Sequence, residues 1–342
     1  MSQNKFQAIV PSNIAFLKYW GKSDEASQWP ANDSLSMTLS DLNTTTNSWV
    51  IDGKEHQVSL NGSSLSRDDK AGSKIYKHLD FLKSAIGANS CLAIETKNNF
   101  PTACGIASSA SGLGALTLAS VAAWLGAKDL DQLEELGFPL TRLANLARMG
   151  SGSACRSMLG GLVQWHRGET AEQQSVSAPF SHKYWPLMDS VVLFSKDEKS
   201  VGSTEAHRAA WTSPMFAPRL AVLDDRLDAM KNAIDNRDMG TLGPLIEQET
   251  LEMHSVIMSA ESPVRYFGKE TGEFLSWIRK MRRDLELPVY FTLDAGPNVH
   301  LIYETRFHER VIELLKSRVS EDQILSDEIG AGPSLSVYSE DK

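Results

Sequence analysis

The stretch NNFPTACGIASSASGLG, residues 98–114, is the most informative about the fold. The apolar residues 91–96 before it predict a short strand. A turn containing Pro and Gly follows, and small residues then open a helix predicted over about 108–125. Backbone N–H groups at the start of a helix are unpaired and partly positive, so this junction suits a phosphate. A Ser- and Ala-rich helix packed closely on a sheet is the alternative.

Two hydroxyl side chains follow this turn. Ser108 and Ser109 can bond a phosphate oxygen or a metal ion. The stretch is not a Walker A loop. The only nearby Gly-Lys-Ser, residues 21–23, has Phe16 where the first Gly of that motif would stand.

Toward the N-terminus, the segment SNIAFLKYWGK ends at Lys22 and combines lysines with aromatic residues. Residues 13–19 predict a strand on which Lys18 and Trp20 point to one face and Tyr19 to the other. The two lysines beside the two aromatic residues would form an anion-binding edge. An ordinary amphipathic strand whose lysines extend to solvent is the alternative.

Toward the C-terminus, the segment RMGSGSACRSMLGG follows a helix predicted over 140–149. Ser151 and Ser153 lie on a loop that enters another helix, where they can donate to a phosphate or cap that helix. Arg156 can hold a carboxylate or a phosphate through two parallel hydrogen bonds. A capped helix with a surface Arg is the alternative.

A carboxylate lies in the segment FTLDAGPNVH, residues 291–300. Strands are predicted at 289–294 and 299–303, with a Gly-Pro-Asn turn between them. Asp294 would therefore end an apolar strand, a common position for a functional side chain. An Asp that simply caps the turn is the alternative.

Composition excludes several classes of protein. The net charge is −9, and nothing in the sequence indicates the basic face of a nucleic-acid-binding protein. The three cysteines have no metal-ligand spacing, and they fit a reducing cytosol without disulfides. The histidines form no zinc signature. Neither a signal peptide nor a run approaching 18 apolar residues is recognised, so no membrane span is expected.

The order of predicted elements indicates an α+β protein of two lobes. A polar stretch at 167–186 places the division near residue 186, which gives an N-terminal domain, 1–186, and a C-terminal domain, 187–342. In the first half a helix is predicted over residues 70–86, where apolar residues recur at helical spacing. The second half is predicted to begin with a strand and then to be mainly helical. Its helices are predicted at 215–236, 239–258, 270–285 and 306–317.

These segments together resemble the diphosphomevalonate decarboxylases, a branch of the GHMP small-molecule kinases. The stretch PTACGIASSA is similar to the GHMP phosphate loop, with Ile106 where Leu is usual. VPSNIAFLKYWGK resembles the family's opening APxNIALxKYWGK, and GSGSACRS and FTLDAGPN resemble two later motifs. With the closing GAGPS, the resemblance covers about residues 8–338. Local departures from the family pattern are Trp29, Ala31 and His207. Near the position of His207 the family usually has Met.

The resemblance implies the GHMP kinase fold, with two lobes of mixed sheets and helices around a central active-site cleft. It implies ATP-dependent conversion of mevalonate 5-diphosphate to isopentenyl diphosphate, with ATP and Mg²⁺ as cofactors. A cytoplasmic homodimer that binds neither nucleic acid nor membrane is expected. The alternatives are a GHMP kinase that phosphorylates a mevalonate derivative without decarboxylation and a non-catalytic binding paralogue.

The resemblance also assigns roles to residues. Asp294 would be the catalytic carboxylate, and Arg156 would hold the substrate carboxylate. Lys18 would position either Asp294 or the transferring phosphoryl group. Ser109, with Ser108, would position the γ-phosphate and Mg²⁺. The diphosphate would be bound by Tyr19, Lys22, Ser151 and Ser153. The nucleotide would be bound by Pro101, Gly105, Ala107, Ser108 and Ser109.

Overall fold

The computed structural model describes residues 3–100, 108–168, 176–177, 180, 184–195 and 201–340, and these form an α+β protein, as predicted. The strands are β1 (Gln3–Leu17), β2 (Lys22–Asp24), β3 (Trp29–Pro30), β4 (Ser34–Ile51), β5 (Gln57–Leu60), β6 (Ser63–Leu65), β7 (Cys91–Asn98), β8 (Leu162–Trp165), β9 (Val176–Ser177), β10 (Leu187–Val192), β11 (Tyr290–Thr292), β12 (Val299–Glu304), β13 (Ile324–Glu328) and β14 (Ser334–Glu340). The helices are α1 (Lys70–Ile86), α2 (Ser108–Leu125), α3 (Leu130–Glu135), α4 (Leu140–Gly150), α5 (Ala154–Ser157), α6 (Ser203–Ala209), α7 (Phe216–Leu220), α8 (Leu223–Asp235), α9 (Met239–Met258), α10 (Lys269–Asp284) and α11 (His308–Lys316). Short 3₁₀ turns lie at Ala210–Thr212, Thr305–Phe307 and Glu321–Gln323.

The larger sheet is organised around the long strand β4. Its main strands have the order β14-β1-β4-β7-β5-β6, and β4 pairs antiparallel with β1. On its other side β4 pairs with β8 over residues 34–37 and with β7 over residues 44–51. Residues 34–39 are buried on both faces, whereas alternate residues are buried after Asn43. The first part of β4 is therefore enclosed by protein on both sides, and the second part covers one core.

Helix α2 is the centre of the N-terminal core. Nearly all of its residues from Ala110 to Ala123 are buried, because its small apolar side chains let strands and helices approach from every direction. A Cβ on Gly114 would lie 3.0 Å from Val10. By length and composition alone α2 could also cross a membrane, contrary to the expectation from the sequence. However, 72% of its apolar window is buried inside the protein, as in a core helix.

The smaller sheet is antiparallel, with the order β11-β12-β10-β13, and it lies in the C-terminal half. One cluster of buried side chains joins the two halves, because Phe16 and Leu35 share it with Leu227 and Ile246. Strand β14 also returns to pair with β1. The division near residue 186 stays a prediction, since the core is continuous across it.

Some predicted elements differ from the structure. The helix predicted over 215–236 is two helices, α7 and α8, because the chain turns at Val222, whose N–H bonds the Arg219 carbonyl. The strand predicted over 289–294 ends at Thr292. The predictions for α1, α2 and α9 are confirmed to within a residue.

Two glycine-containing segments, residues 160–161 and 330–332, hold the C-terminal strands against the larger sheet. Gly161 N–H donates to the Gly330 carbonyl at 2.8 Å, and Gly330 N–H donates to the Thr38 carbonyl at 2.9 Å. A Cβ on Gly160 would lie 2.1 Å from the carbonyl oxygen of Ala331, so the two backbones meet without room for a side chain. This contact explains why both segments are rich in glycine.

Replacing Gly160 by Ala should lower the free energy of unfolding by about 2 kcal/mol, because the backbones must move apart. The control is Gly272→Ala in α10, where a Cβ meets nothing within 4 Å; it should leave stability unchanged or raise it by about 0.5–1 kcal/mol. Urea unfolding of both variants measures the difference. Equal stabilities would contradict the close approach at Gly160.

Candidate active site

A cavity of about 980 Å³ brings together side chains that are widely separated in the sequence. Every described residue that the sequence assigned to a site lines it. These residues are Lys18, Tyr19, Lys22, Ser108, Ser109, Ser151, Ser153, Arg156 and Asp294. The predicted nucleotide-binding residues Pro101, Gly105 and Ala107 lie outside the described residues.

An ion pair between Lys18 and Asp294 lies in the cavity, with 2.7 Å between Lys18 Nζ and Asp294 Oδ1. The strand prediction for Lys18 was wrong: β1 ends at Leu17, and Lys18, Tyr19 and Trp20 are all buried. The Lys18 side chain is only 2% exposed, which excludes a lysine extending to solvent. Burial raises the pKa of Asp294, but the charge and hydrogen bond of Lys18 outweigh this effect and lower that pKa overall. The carboxylate is therefore held ionised.

The backbone of Lys18 is held by a buried charged network from the C-terminal half. Glu249 Oε1 accepts from Lys18 N–H at 3.1 Å, and Arg219 donates to the Lys18 carbonyl at 3.3 Å. Arg219 and Arg226 both pair with the fully buried Glu249. Asn32 Nδ2 also donates to the Lys18 carbonyl, at 3.0 Å. The position of the ammonium group is therefore fixed from both halves of the chain.

Asp294 lies in the turn beyond β11, two residues after the strand ends, and not at the strand end as predicted. Its backbone carbonyl accepts from Gly296 N–H at 2.8 Å, so the carboxylate is not what closes the turn. Asn298 Oδ1 anchors the turn by accepting from the backbone N–H groups of Phe194 and Ser195 at 2.8 and 3.2 Å. The carboxylate is thus directed at Lys18 and the cavity.

Arg156 is buried on α5, which excludes the surface Arg of the alternative interpretation. Its Nη1 donates to Ser34 Oγ at 2.7 Å, and its Nε donates to Asn13 Oδ1 at 3.3 Å. Trp165 lies with its ring centroid 6.0 Å from the guanidinium carbon. These contacts fix the plane of the guanidinium at the cavity wall, where it can meet a carboxylate or a phosphate.

The Tyr19 hydroxyl is buried and has no hydrogen-bond partner among the described residues. A Cβ on Gly152 would lie 2.7 Å from this hydroxyl, so glycine leaves the space that the ring needs. The ring packs against Trp165 and His207, with centroids 4.7 and 4.4 Å away. Burial raises the pKa of Tyr19, so the phenol stays protonated and can donate to an anion.

The serines connect the start of α2 to the loop before α5. Ser109 Oγ and Ser151 Oγ are 3.5 Å apart. Ser153 occupies the N-cap position of α5, but its side chain makes no capping bond, contrary to that part of the sequence interpretation. Hydroxyl and carboxylate oxygens suit Mg²⁺, which binds nucleotides mainly through phosphates and water. Over the described ranges no group of three His, Cys, Asp or Glu residues can hold a metal.

The sequence interpretation missed three lysines. Lys70, Lys74 and Lys77 on α1 line the same cavity. Their spacing of four and three residues places them on one face of the helix, and this signal was visible in the sequence. A smaller apolar recess of about 180 Å³ adjoins them and is lined in part by Leu60 and Leu113. The cavity therefore has a cationic wall next to an apolar recess.

Comparisons with known proteins give one consistent result. Residues 10–177 match the family model for the diphosphomevalonate decarboxylase-like N-terminal domain, and residues 190–337 match that for the mevalonate 5-diphosphate decarboxylase C-terminal domain. The diphosphomevalonate decarboxylase of Candida albicans is 34% identical over 324 residues, which cover 90% of this chain and 86% of the relative.

Solved structures agree. A structure of the mevalonate diphosphate decarboxylase from Enterococcus faecalis superposes with a TM-score of 0.86 at 30% identity, covering 99% of this chain and all of the other. A structure of MDDEF in complex with MVAPP, AMPPCP and magnesium has the same TM-score at 31% identity, with the same coverage of both chains.

A buried histidine beside the cavity makes stability depend on pH. His78 Nε2 lies 2.8 Å from Thr117 Oγ1, and that hydroxyl donates to the Leu113 carbonyl, so the imidazole N–H must be the donor to it. Burial lowers the pKa of His78 to about 3. The folded protein therefore keeps His78 neutral at pH values where the unfolded chain protonates it.

Stability should fall as the pH drops below about 6.5, the pKa of histidine in the unfolded chain. His78→Gln retains an N–H donor but cannot titrate, so between pH 7 and 4 it should lose about 3 kcal/mol less stability than the original protein. Urea unfolding at several pH values measures this. An unaltered slope for His78→Gln would contradict the neutral buried imidazole.

Proposed function

The chain belongs to the diphosphomevalonate decarboxylase family, and we propose that its cavity performs the reaction of that family through the residues described above. This reaction converts mevalonate 5-diphosphate and ATP to isopentenyl diphosphate, ADP, phosphate and CO₂. The protein has the GHMP kinase fold, and ATP and Mg²⁺ are its cofactors. The roles are assigned from one observation: the Lys18–Asp294 ion pair and the buried Arg156 line the same cavity.

The chemistry requires two kinds of group. The tertiary 3-hydroxyl of the substrate is weakly acidic and leaves poorly, so it must be phosphorylated first. When the resulting phosphate leaves, positive charge develops at C3. The C–C bond to the carboxylate then breaks, and its electron pair forms the double bond as CO₂ departs. The site therefore needs a base near the hydroxyl and a cation that holds the carboxylate.

Asp294 is the base in this proposal. It orients the 3-hydroxyl, accepts its proton during phosphoryl transfer and favours positive charge at C3 by its own negative charge. Lys18 supports this role because its ammonium keeps the carboxylate ionised and fixes its position. Arg156 holds the substrate carboxylate, since Ser34 and Asn13 already orient its guanidinium.

The diphosphate of the substrate binds to a second group of donors that line the cavity. The protonated Tyr19 hydroxyl has no protein partner among the described residues and can donate to a phosphate oxygen. The hydroxyls of Ser151 and Ser153 and the ammonium of Lys22 line the same cavity. Neutral donors and one cation together suit an anion with several oxygens.

The nucleotide binds at the start of α2. Ser108 and Ser109 position its phosphates, together with Pro101, Gly105 and Ala107, which precede them in the sequence. The three α1 lysines neutralise phosphate charge, and the adjoining apolar recess receives the base. Ser109 would help to hold Mg²⁺, which supplies charge neutralisation at the phosphates when bound. Phosphoryl transfer depends mainly on such positioning and neutralisation.

We extend the proposal to assembly, location and domain organisation. The family resemblance supports a homodimer in the cytoplasm, and the buried free cysteines Cys91 and Cys155 suit a reducing compartment. The chain divides into its two domains near residue 186.

Purified protein with Mg²⁺-ATP and mevalonate 5-diphosphate tests the function directly. ADP and isopentenyl diphosphate should form in equal amounts. ADP without isopentenyl diphosphate would show a kinase that stops at the phosphorylated product. The absence of both products would refute the catalytic assignment and favour a binding paralogue.

Asp294→Asn should lower kcat by about 10²- to 10⁴-fold, because the amide cannot accept the proton of the hydroxyl. Steady-state rates of ADP formation measure the loss. Asp284→Asn is the control. Among the described residues the Asp284 side chain pairs only with Lys280, on the surface, so the substitution should not alter the rate. An Asp294→Asn protein with the original turnover would remove Asp294 from the mechanism.

A further inference from the structure

We propose that His207 is a positioning residue, which fixes the segment from Tyr19 to Lys22 in the geometry that binds the diphosphate of the substrate. This inference rests on the proposed function and adds a residue to it. His207 belongs to α6 in the C-terminal half, whereas the segment that it contacts follows β1.

The imidazole of His207 is buried between two aromatic rings of that segment. Its centroid lies 4.4 Å from the Tyr19 ring and 4.4 Å from the Trp20 ring, and the second pair is stacked at 25°. The residue is 6% exposed and still contributes to the wall of the cavity. The imidazole thus restricts the movement of both rings toward α6.

A hydrogen bond defines the state of the imidazole. Gly21 N–H lies 3.0 Å from His207 Nδ1. A backbone N–H can only donate, so Nδ1 must carry a lone pair and the ring proton of the neutral form must lie on Nε2. His207 therefore acts toward Gly21 as an acceptor, a role that an apolar side chain of similar size cannot take.

Through its bond to Gly21, His207 fixes the backbone of the segment from Tyr19 to Lys22. The φ angle of Gly21 is +80°, in the left-handed region that favours glycine. On its other side the Phe216 ring is close, since a Cβ on Gly21 would lie only 2.3 Å from it. Gly21 is thus held between His207 and Phe216. Because it directly precedes Lys22, a change in its backbone displaces the Lys22 ammonium and, through Trp20, the Tyr19 hydroxyl.

Substrate binding should therefore depend on the acceptor at Nδ1 more than on the volume of the ring. In His207→Asn the amide oxygen lies where Nδ1 lies in histidine and can accept from Gly21 N–H. In His207→Gln the amide lies one bond further out, near the position of Nε2, and leaves Gly21 N–H without its acceptor. The two variants are matched in chemistry and differ in the position of the acceptor.

The experiment measures kcat and both KM values for the original protein, His207→Asn and His207→Gln. For His207→Gln, KM for mevalonate 5-diphosphate should rise about tenfold, the effect of one unmade hydrogen bond. Its kcat and its KM for ATP should stay within about twofold. His207→Asn should keep KM for mevalonate 5-diphosphate within about threefold of the original. If His207→Gln does not fold, as judged by its thermal melting, His207→Leu replaces it with the same expectation.

Three results would overturn the inference. One is an unchanged KM for mevalonate 5-diphosphate in His207→Gln. Another is an equal rise for Asn and Gln, which would show that the acceptor position is irrelevant. The third is a parallel loss in kcat and in both KM values, which would indicate a general structural role. A failure of the original protein to make isopentenyl diphosphate would instead refute the proposed function, so the two failures are distinguishable.

Discussion

The ion pair between Lys18 and Asp294 is the constraint on which the rest of the site depends. Burying an ammonium and a carboxylate is costly unless each finds a well-placed partner. Here the charges lie 2.7 Å apart, and the backbone of Lys18 is bonded through both its N–H and its carbonyl to a second buried charged group, centred on Glu249. Since Lys18 follows β1 while Glu249 lies on α9 and Asp294 follows β11, this arrangement forms only when both halves of the chain have folded together. The shared apolar core between the halves serves the same requirement.

The same arrangement explains how an acidic protein presents a site for anions. The net charge is −9, yet the cavity wall collects Lys18, Lys22, Arg156 and the three α1 lysines. Local cations set the potential inside a cleft more strongly than distant surface charges, which water and salt screen. Because protein partners fix Lys18 and Arg156, these two cations need little reorganisation when an anion binds, and this is how a site gains from electrostatics.

Much of the fold and of the site could be predicted from the sequence, and the failures have physical causes. Helices α1 and α2 have clear periodicity or composition, and both were predicted to the residue. Strand β4 was missed because its buried face is largely Ser and Thr, whose burial depends on partners such as Ser111, which the sequence does not identify. Strand β1 was predicted to continue through Lys18, whereas it ends at Leu17. The local alternation of residues cannot show that the Lys18 N–H bonds Glu249 in the other half of the chain. The α1 lysines were missed because lysines at helical spacing usually face water. His207 was recognised as unusual, but its contact with Gly21 could not be predicted, because the two residues are far apart in the sequence.

The proposed reaction requires that Asp294, held by Lys18, meets the hydroxyl on which phosphoryl transfer occurs. A crystal structure of the protein with mevalonate 5-diphosphate, Mg²⁺ and a non-hydrolysable ATP analogue tests it most directly. An oxygen of Asp294 should lie within about 3 Å of the substrate 3-hydroxyl. The Lys18 contact should be retained, and the substrate carboxylate should lie on Arg156. A 3-hydroxyl directed at another side chain, with Asp294 out of hydrogen-bond reach, would contradict it.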